Sequence, residues 1–212
     1  MPTTTARRPA AAPAAPRCAS AADMDLFHND SPQSLSAARA ICLHCPILPM
    51  CSRNEDSPDV TTLAGLTAIQ RRALACARML GTEPDFEQGR ELMQPWWHAI
   101  ITRLSRRHPD PVALAHGLAQ EGVSCSPATA RLLLWWQGLP GALVRPVPGQ
   151  GRTVWPQILT LHLSTVYTLL ERGAAPADVA SYLGVSPSSL ARALQQAETA
   201  STPDGTSYAE AA

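Results

Sequence analysis

Four of the six cysteines, Cys18, Cys42, Cys45 and Cys51, follow the spacing Cx23CxxCx5C, and Pro46 comes directly after the third. Thiolates are soft donors that suit iron-sulfur clusters and zinc, and a CxxC pair lets a single turn of chain reach two positions of one centre. No secretory signal precedes them, so the thiols are expected to stay reduced and to act as ligands before they form disulfides. Structural zinc sites usually present their ligands as two short pairs, whereas Cys18 and Cys51 stand apart from the CxxC. A thioredoxin-like CxxC follows a strand in a βαβ pattern, and no such pattern is present. The spacing leaves three readings open. They are a 4Fe-4S cluster on all four thiolates, a structural zinc site in an interaction protein, and a thiol-disulfide reductase working through Cys42 and Cys45. Cys76 and Cys125 stand alone and read as small buried residues.

Helices must carry these ligands. Ser31 can cap a helix that runs from about Pro32 to Leu43, with Leu35, Ala38 and Ile41 or Cys42 at helical spacing. Such a helix delivers Cys42 and Cys45 on or just past its last turn. Thr67 and Gln70 make a capping-box pair for a second helix ending near Leu80, before Gly81. Further along, Trp97, Ile100, Ile101 and Leu104 form one apolar face, and Val112, Ala115, Leu118 and Ala119 another. Trp96 and Trp97 read as packing anchors. Pro156 opens a helix with the stripe Ile158, His162, Thr165, Val166 and Leu169, ending near Gly173.

One pattern occurs twice. Gly122 to Pro127 leads into Ala130-Arg131, and Gly184-Val185-Ser186-Pro187 leads into Ala191-Arg192, each after a short helix of alanine and leucine. A glycine turn, a serine cap and a proline at the first helical position describe a helix-turn-helix. In the second unit Val179, Leu183, Val185, Leu190 and Leu194 are expected in the core. Ser188, Ser189, Arg192, Gln195 and Gln196 then face outward, where Arg can read guanine and Gln adenine in a major groove. In the first unit the second helix carries Leu132 to Trp136 in a row and reads as buried core or as a partner surface. Arg103, Arg106, Arg107 and His108 read as a solvated helix end or as a phosphate contact.

The 212 residues carry no net charge, so any DNA contact must be local. Residues 151–212 hold three arginines against five acidic residues, a balance that does little to neutralise phosphates. All 17 basic residues are arginine, which fits an arginine-favouring genome. No apolar run approaches the roughly 18 residues of a spanning helix, and a cytoplasmic protein without membrane contact is expected. Neither an acid-base pair nor a substrate pocket is legible, so no enzymatic role and no small-molecule substrate are expected. The fold class is all-α. Its expected organisation is a disordered leader 1–17, a cysteine lobe 18–80, a helical region 92–137, a Gly/Pro-rich loop 138–156, a helical region 157–198 with the second helix-turn-helix unit, and a disordered tail from 199 to 212.

Several stretches together resemble one family. They are Cys18-Ala-Ser-Ala-Ala-Asp23-Met-Asp25-Leu26-Phe27, Ala40-Ile41-Cys42-Leu43-His44-Cys45-Pro46-Ile47 with Cys51, Gly65-Leu66-Thr67, and Arg71-Arg72. Over about residues 17 to 75 the chain resembles the WhiB-like transcription regulators of actinobacteria. The resemblance implies an oxygen- and nitric-oxide-sensitive 4Fe-4S cluster on Cys18, Cys42, Cys45 and Cys51. It also implies binding to region 4 of the principal sigma factor of RNA polymerase through the turn that contains Leu63 and Gly65. The family's GVWGG turn is replaced by Thr61-Thr62-Leu63-Ala64-Gly65, with Leu63 where the tryptophan would stand. The family's short basic DNA-binding tail is replaced by more than a hundred further residues.

Overall fold

In the computed structural model the described residues are 16–19, 21–53, 62–108, 110–145 and 154–201. Helix dominates, as expected. A 3-10 turn (Arg17–Ala19) leads to α1 (Ala21–Phe27), α2 (Pro32–Leu43) and the single turn α3 (Leu48–Cys51). Ser31 caps α2 by accepting a hydrogen bond from the Ser34 amide at 3.1 Å, and α2 has the expected bounds. A departure from the all-helical expectation follows. Two short strands, β1 (Thr62–Leu63) and β2 (Leu66–Thr67), pair antiparallel around Ala64-Gly65. Both turn residues have positive φ, 53° and 71°, the geometry that matches the twist of a two-residue hairpin.

α4 (Ala68–Met79) starts from the expected capping box, in which Thr67 and Gln70 each bond the other's backbone amide. α5 (Phe86–Leu92), α6 (Pro95–Arg107), α7 (Pro111–Gln120) and α8 (Pro127–Trp136) follow. Every residue of α8 from Thr129 to Trp136 is buried, as its unbroken apolar run implied. Burying each of its leucines stabilises the fold by about 1.5–3 kcal/mol. α8 belongs to a core that also takes in Phe27, Ala38, Cys42, Leu48 and Leu66, so the cysteine region and the middle helices share one interior.

Two expected faces shift. On α7 the inward residues are Pro111, Leu114, Gly117 and Leu118, while Val112 and Ala119 are exposed. The face is rotated because α7 packs on α8 and α6 with its Leu114 edge. Trp96 is 67% exposed and anchors nothing, because α6 meets the core through Ile101 and Leu104, whose face Trp97 shares and Trp96 does not.

A second core forms from Ile158, Val166, Leu169, Val179, Leu183, Leu190 and Ala193. Its helices are α9 (Trp155–Gln157), a π-helical stretch (Ile158–His162), α10 (Leu163–Glu171), α11 (Pro176–Leu183) and α12 (Pro187–Ser201). Cys76 of α4 is buried in this second core, and α11 lies along α4. The Arg72–Asp178 ion pair at 3.7 Å and a bond from Arg172 to the Met79 carbonyl reinforce that contact. Helix α12 continues through Ser201, so residues 199–201 are helical where a tail was expected. Residues 202–212, the leader before Pro16 and the 146–153 part of the Gly/Pro-rich segment lie outside the described residues. No described helix is long and apolar enough to cross a membrane.

Gly184 ends α11 at φ 75°, and Ala142 sits beneath it: a Cβ added there would meet the Ala142 Cβ at 2.6 Å and its Cα at 2.7 Å. Gly122, at the matching place of the first unit, has φ 85° and open space around it. Gly122→Ala therefore carries only the left-handed penalty of about 1–2 kcal/mol. Gly184→Ala adds overpacking of about 1–3 kcal/mol to it. In thermal unfolding Gly184→Ala should lower Tm by several degrees more than Gly122→Ala; equal shifts would mean that Ala142 does not hold the turn.

Candidate metal centre

The four motif cysteines come from three places. Cys18 lies in the 3-10 turn, Cys42 in the last turn of α2, Cys45 three residues on, and Cys51 at the end of α3. The chain can bring the last three together because α2 stops where its sequence stops it. The Cys45 amide bonds the Cys42 carbonyl at 2.9 Å, and the Leu48 amide then bonds Cys45, which folds the CxxCP segment back into α3. All four cysteines line a single apolar pocket with Phe27, Ile41, Leu48, Leu63 and Ala64 among its walls. All four are free thiols. Among the described residues no three His, Cys, Asp or Glu side chains are placed to hold one metal ion.

The thiols influence one another electrostatically. Burial pushes the Cys42 thiol up to about 12; the Gly65 backbone N–H opposes this, and the negative charge of Cys51, Cys18 and Cys45 adds to it. Cys51 is raised for the same first reason, with the Ala64 N–H and the nearby Arg71 guanidinium favouring its thiolate. The two residues of the hairpin turn thus aim their amides at two different sulfurs. A thiolate held by a backbone N–H and close to a cation is a better ligand than burial alone would allow.

The turn's carbonyls face the other way. Trp136 Nε1 of α8 donates to the Ala64 carbonyl at 3.2 Å, and Arg39 Nε of α2 donates to the Gly65 carbonyl at 3.2 Å. Gly65 is buried, and a Cβ on it would lie 2.9 Å from Trp136 Nε1. Ala64 is the one described non-glycine residue with positive φ. Arg71, 4% exposed, donates from Nη1 to the Leu66 carbonyl at 3.1 Å and so grips the hairpin's second strand.

Sequence reasoning named Ala64 and Arg71 only within the family resemblance and Trp136 only within an apolar run, did not name Arg39, and gave none of the four this supporting role. Trp136 stands 72 residues from its partner, a separation with no local signature. Of the pair named for a sigma-factor contact, Leu63 is half-buried and lines the thiol pocket, whereas Gly65 is buried beneath Trp136. The residues named for DNA lie elsewhere, on α12. Ser188, Arg192, Gln195 and Gln196 are exposed and Ser189 is partly so, while Val179, Leu183 and Leu190 are buried and Val185 and Leu194 pack against them. Ser186 caps α12 through the Ser189 amide at 3.2 Å, and its hydroxyl also lies 2.9 Å from those of Ser188 and Ser189. Of the basic group on α6, Arg103 pairs with Glu121 at 2.7 Å and Arg106 and Arg107 are solvent-facing.

Comparisons with protein-family models, curated proteins and solved structures returned no match. Replacing Trp136 by Phe keeps most of the ring but leaves the buried Ala64 carbonyl without its donor. The expected cost is about 1–3 kcal/mol, read as a lower urea midpoint of the metal-free protein. An unchanged midpoint would mean that the turn is held without this bond.

Proposed function

We propose that the chain is a transcription regulator of the WhiB-like kind, holding a 4Fe-4S cluster on Cys18, Cys42, Cys45 and Cys51 and contacting DNA through α12. The observation that carries this is the convergence of the four thiols on one apolar pocket, with the Ala64 and Gly65 amides directed at two of them. The donor set fits a cluster in its chemistry. Four soft sulfur donors, no competing carboxylate or imidazole in the lining, and backbone N–H groups toward the sulfurs are what such clusters require. A structural zinc ion on the same four thiolates is the competing reading, and iron with sulfide against zinc without sulfide separates the two. When bound, the cluster would supply one-electron chemistry and reactivity toward oxygen or nitric oxide.

The chain's own residues do the rest. Cys42 must give up a proton to bind, and the Gly65 N–H lowers the cost of holding the resulting charge. Phe27, Leu48 and Ala64 keep water from the sulfurs. Any change at Cys42 or Cys51 reaches the hairpin turn through its amides, and the turn's carbonyls pass it to α8 and α2. α4 follows directly from that hairpin and carries α11, so the second helix-turn-helix unit is mechanically tied to the thiols. A contact with the principal sigma factor remains part of the proposal. It falls on Leu63 and the surface around the hairpin's outer edge, because Gly65 is occupied by Trp136.

Protein purified without oxygen should contain about four irons and four sulfides per chain and bleach in air. Cys45→Ala should lose both iron and sulfide, while Cys76→Ala, in the second core, should keep them. Zinc without sulfide in the intact protein would overturn the cluster. For the DNA arm, Arg192→Ala should weaken promoter binding by about 1–3 kcal/mol and leave folding unchanged, as read by fluorescence anisotropy and circular dichroism. Unaltered affinity would remove α12 as the reading helix.

A further inference from the structure

Away from the thiols, a cavity of about 430 Å³ opens between α4, the 81–84 loop, the start of α8 and the end of α11. Its size falls in the usual range for small-molecule sites. Its rim is exposed at Gly81, Thr82, Glu83, Ser126 and Pro127, and its floor is buried at Leu74, Pro84, Arg131 and Trp135.

Arg131 is the unusual member of this lining. It is 5% exposed, and its guanidinium carbon lies 4.7 Å from the Trp135 ring centre and 5.2 Å from that of Tyr182. One amino group, Nη2, donates to the Ser181 and Tyr182 carbonyls at the end of α11, while Nε is buried and makes no hydrogen bond. Burial pulls its pKa down to about 10, so it keeps its charge at neutral pH. Among the described residues no carboxylate forms an ion pair with it. The one carboxylate in the lining, Glu83, is already bound to Arg78 at 3.0 Å. The two rings and the two carbonyls compensate part of the buried positive charge, and no described carboxylate completes it.

We infer that this cavity binds a monoanionic organic acid, with its carboxylate toward Arg131 and the start of α8, and its apolar body along Leu74, Ala77 and Leu143. The charge count sets the class. Arg131 contributes one positive charge with no described carboxylate beside it, while Glu83 and Arg78 neutralise one another at the rim, so one negative charge balances the site. The first turn of α8, with Ala128 in the lining, adds a dipole of the same sense. The two rings hold the guanidinium in a fixed plane, which favours the flat, two-oxygen face of a carboxylate. The surface of the lining is otherwise mostly apolar, which calls for a hydrocarbon body. This site stands independently of the metal centre, and its walls join α4 and α11, the same two helices that link the thiols to the second helix-turn-helix unit.

The test is calorimetric titration of the full chain with sodium octanoate, with 1-octanol and inorganic phosphate as comparators. One octanoate should bind per chain, at least tenfold more tightly than octanol or phosphate. Ala128→Leu, which fills the cavity and leaves Arg131 in place, should weaken octanoate at least tenfold. Arg131→Met should bring octanoate down to the level of octanol. Should Arg131→Met fail to fold, the Ala128→Leu comparison still decides. Equal binding of octanoate and octanol, phosphate binding as tightly as octanoate, or unchanged affinity in Ala128→Leu would each overturn the inference.

Discussion

The two-residue turn Ala64-Gly65 is the constraint on which the rest of the molecule hangs. Its amides point to Cys51 and Cys42, and its carbonyls are taken by Trp136 and Arg39. A buried turn must place all of its polar groups, and here each goes to a partner with another task. The left-handed conformation at Ala64 costs about 1 kcal/mol or more and persists because both sides of the peptide are held. Strain of this kind is retained where geometry matters, and the geometry it preserves is the direction of two N–H groups toward sulfur.

That arrangement makes the middle helices part of the cysteine region's core. α8 supplies Trp136, and the apolar run that buries α8 also packs Phe27, Cys42 and Leu48 into one core. The second core attaches through α4, whose Cys76 sits in it. α4 therefore has one face in each interior. Arg71 looks toward the hairpin and Cys51, while Arg72 pairs with Asp178 of α11. A single helix thus joins the hairpin to α11.

The two glycine turns illustrate how similar local sequences serve different ends. Both cap with serine and open with proline, and both produce a helix pair. α8 is consumed by the interior, whereas α12 keeps Arg192, Gln195 and Gln196 in solvent. What separates them is side-chain composition: five large apolar residues in succession leave no polar face, while α12 alternates Leu190, Ala193 and Ala197 with polar positions.

Sequence alone determined the starts of α2, α4, α8, α11 and α12, the spacing of the four motif cysteines, and the buried character of α8. Caps, prolines at first turns, ligand spacing and apolar periodicity are local, and they act through contacts within about four residues. The faces of α7, the exposure of Trp96 and the occupation of Gly65 were decided only by the tertiary structure. So were the cradling of the turn by Trp136, the union of the cysteine region with the middle helices, and the cavity around Arg131. Each rests on a contact between residues tens of positions apart, such as Trp136 with Ala64 or Arg131 with Tyr182. Such partners are chosen by which faces meet when the helices close on one another, and nothing in either local segment specifies the other.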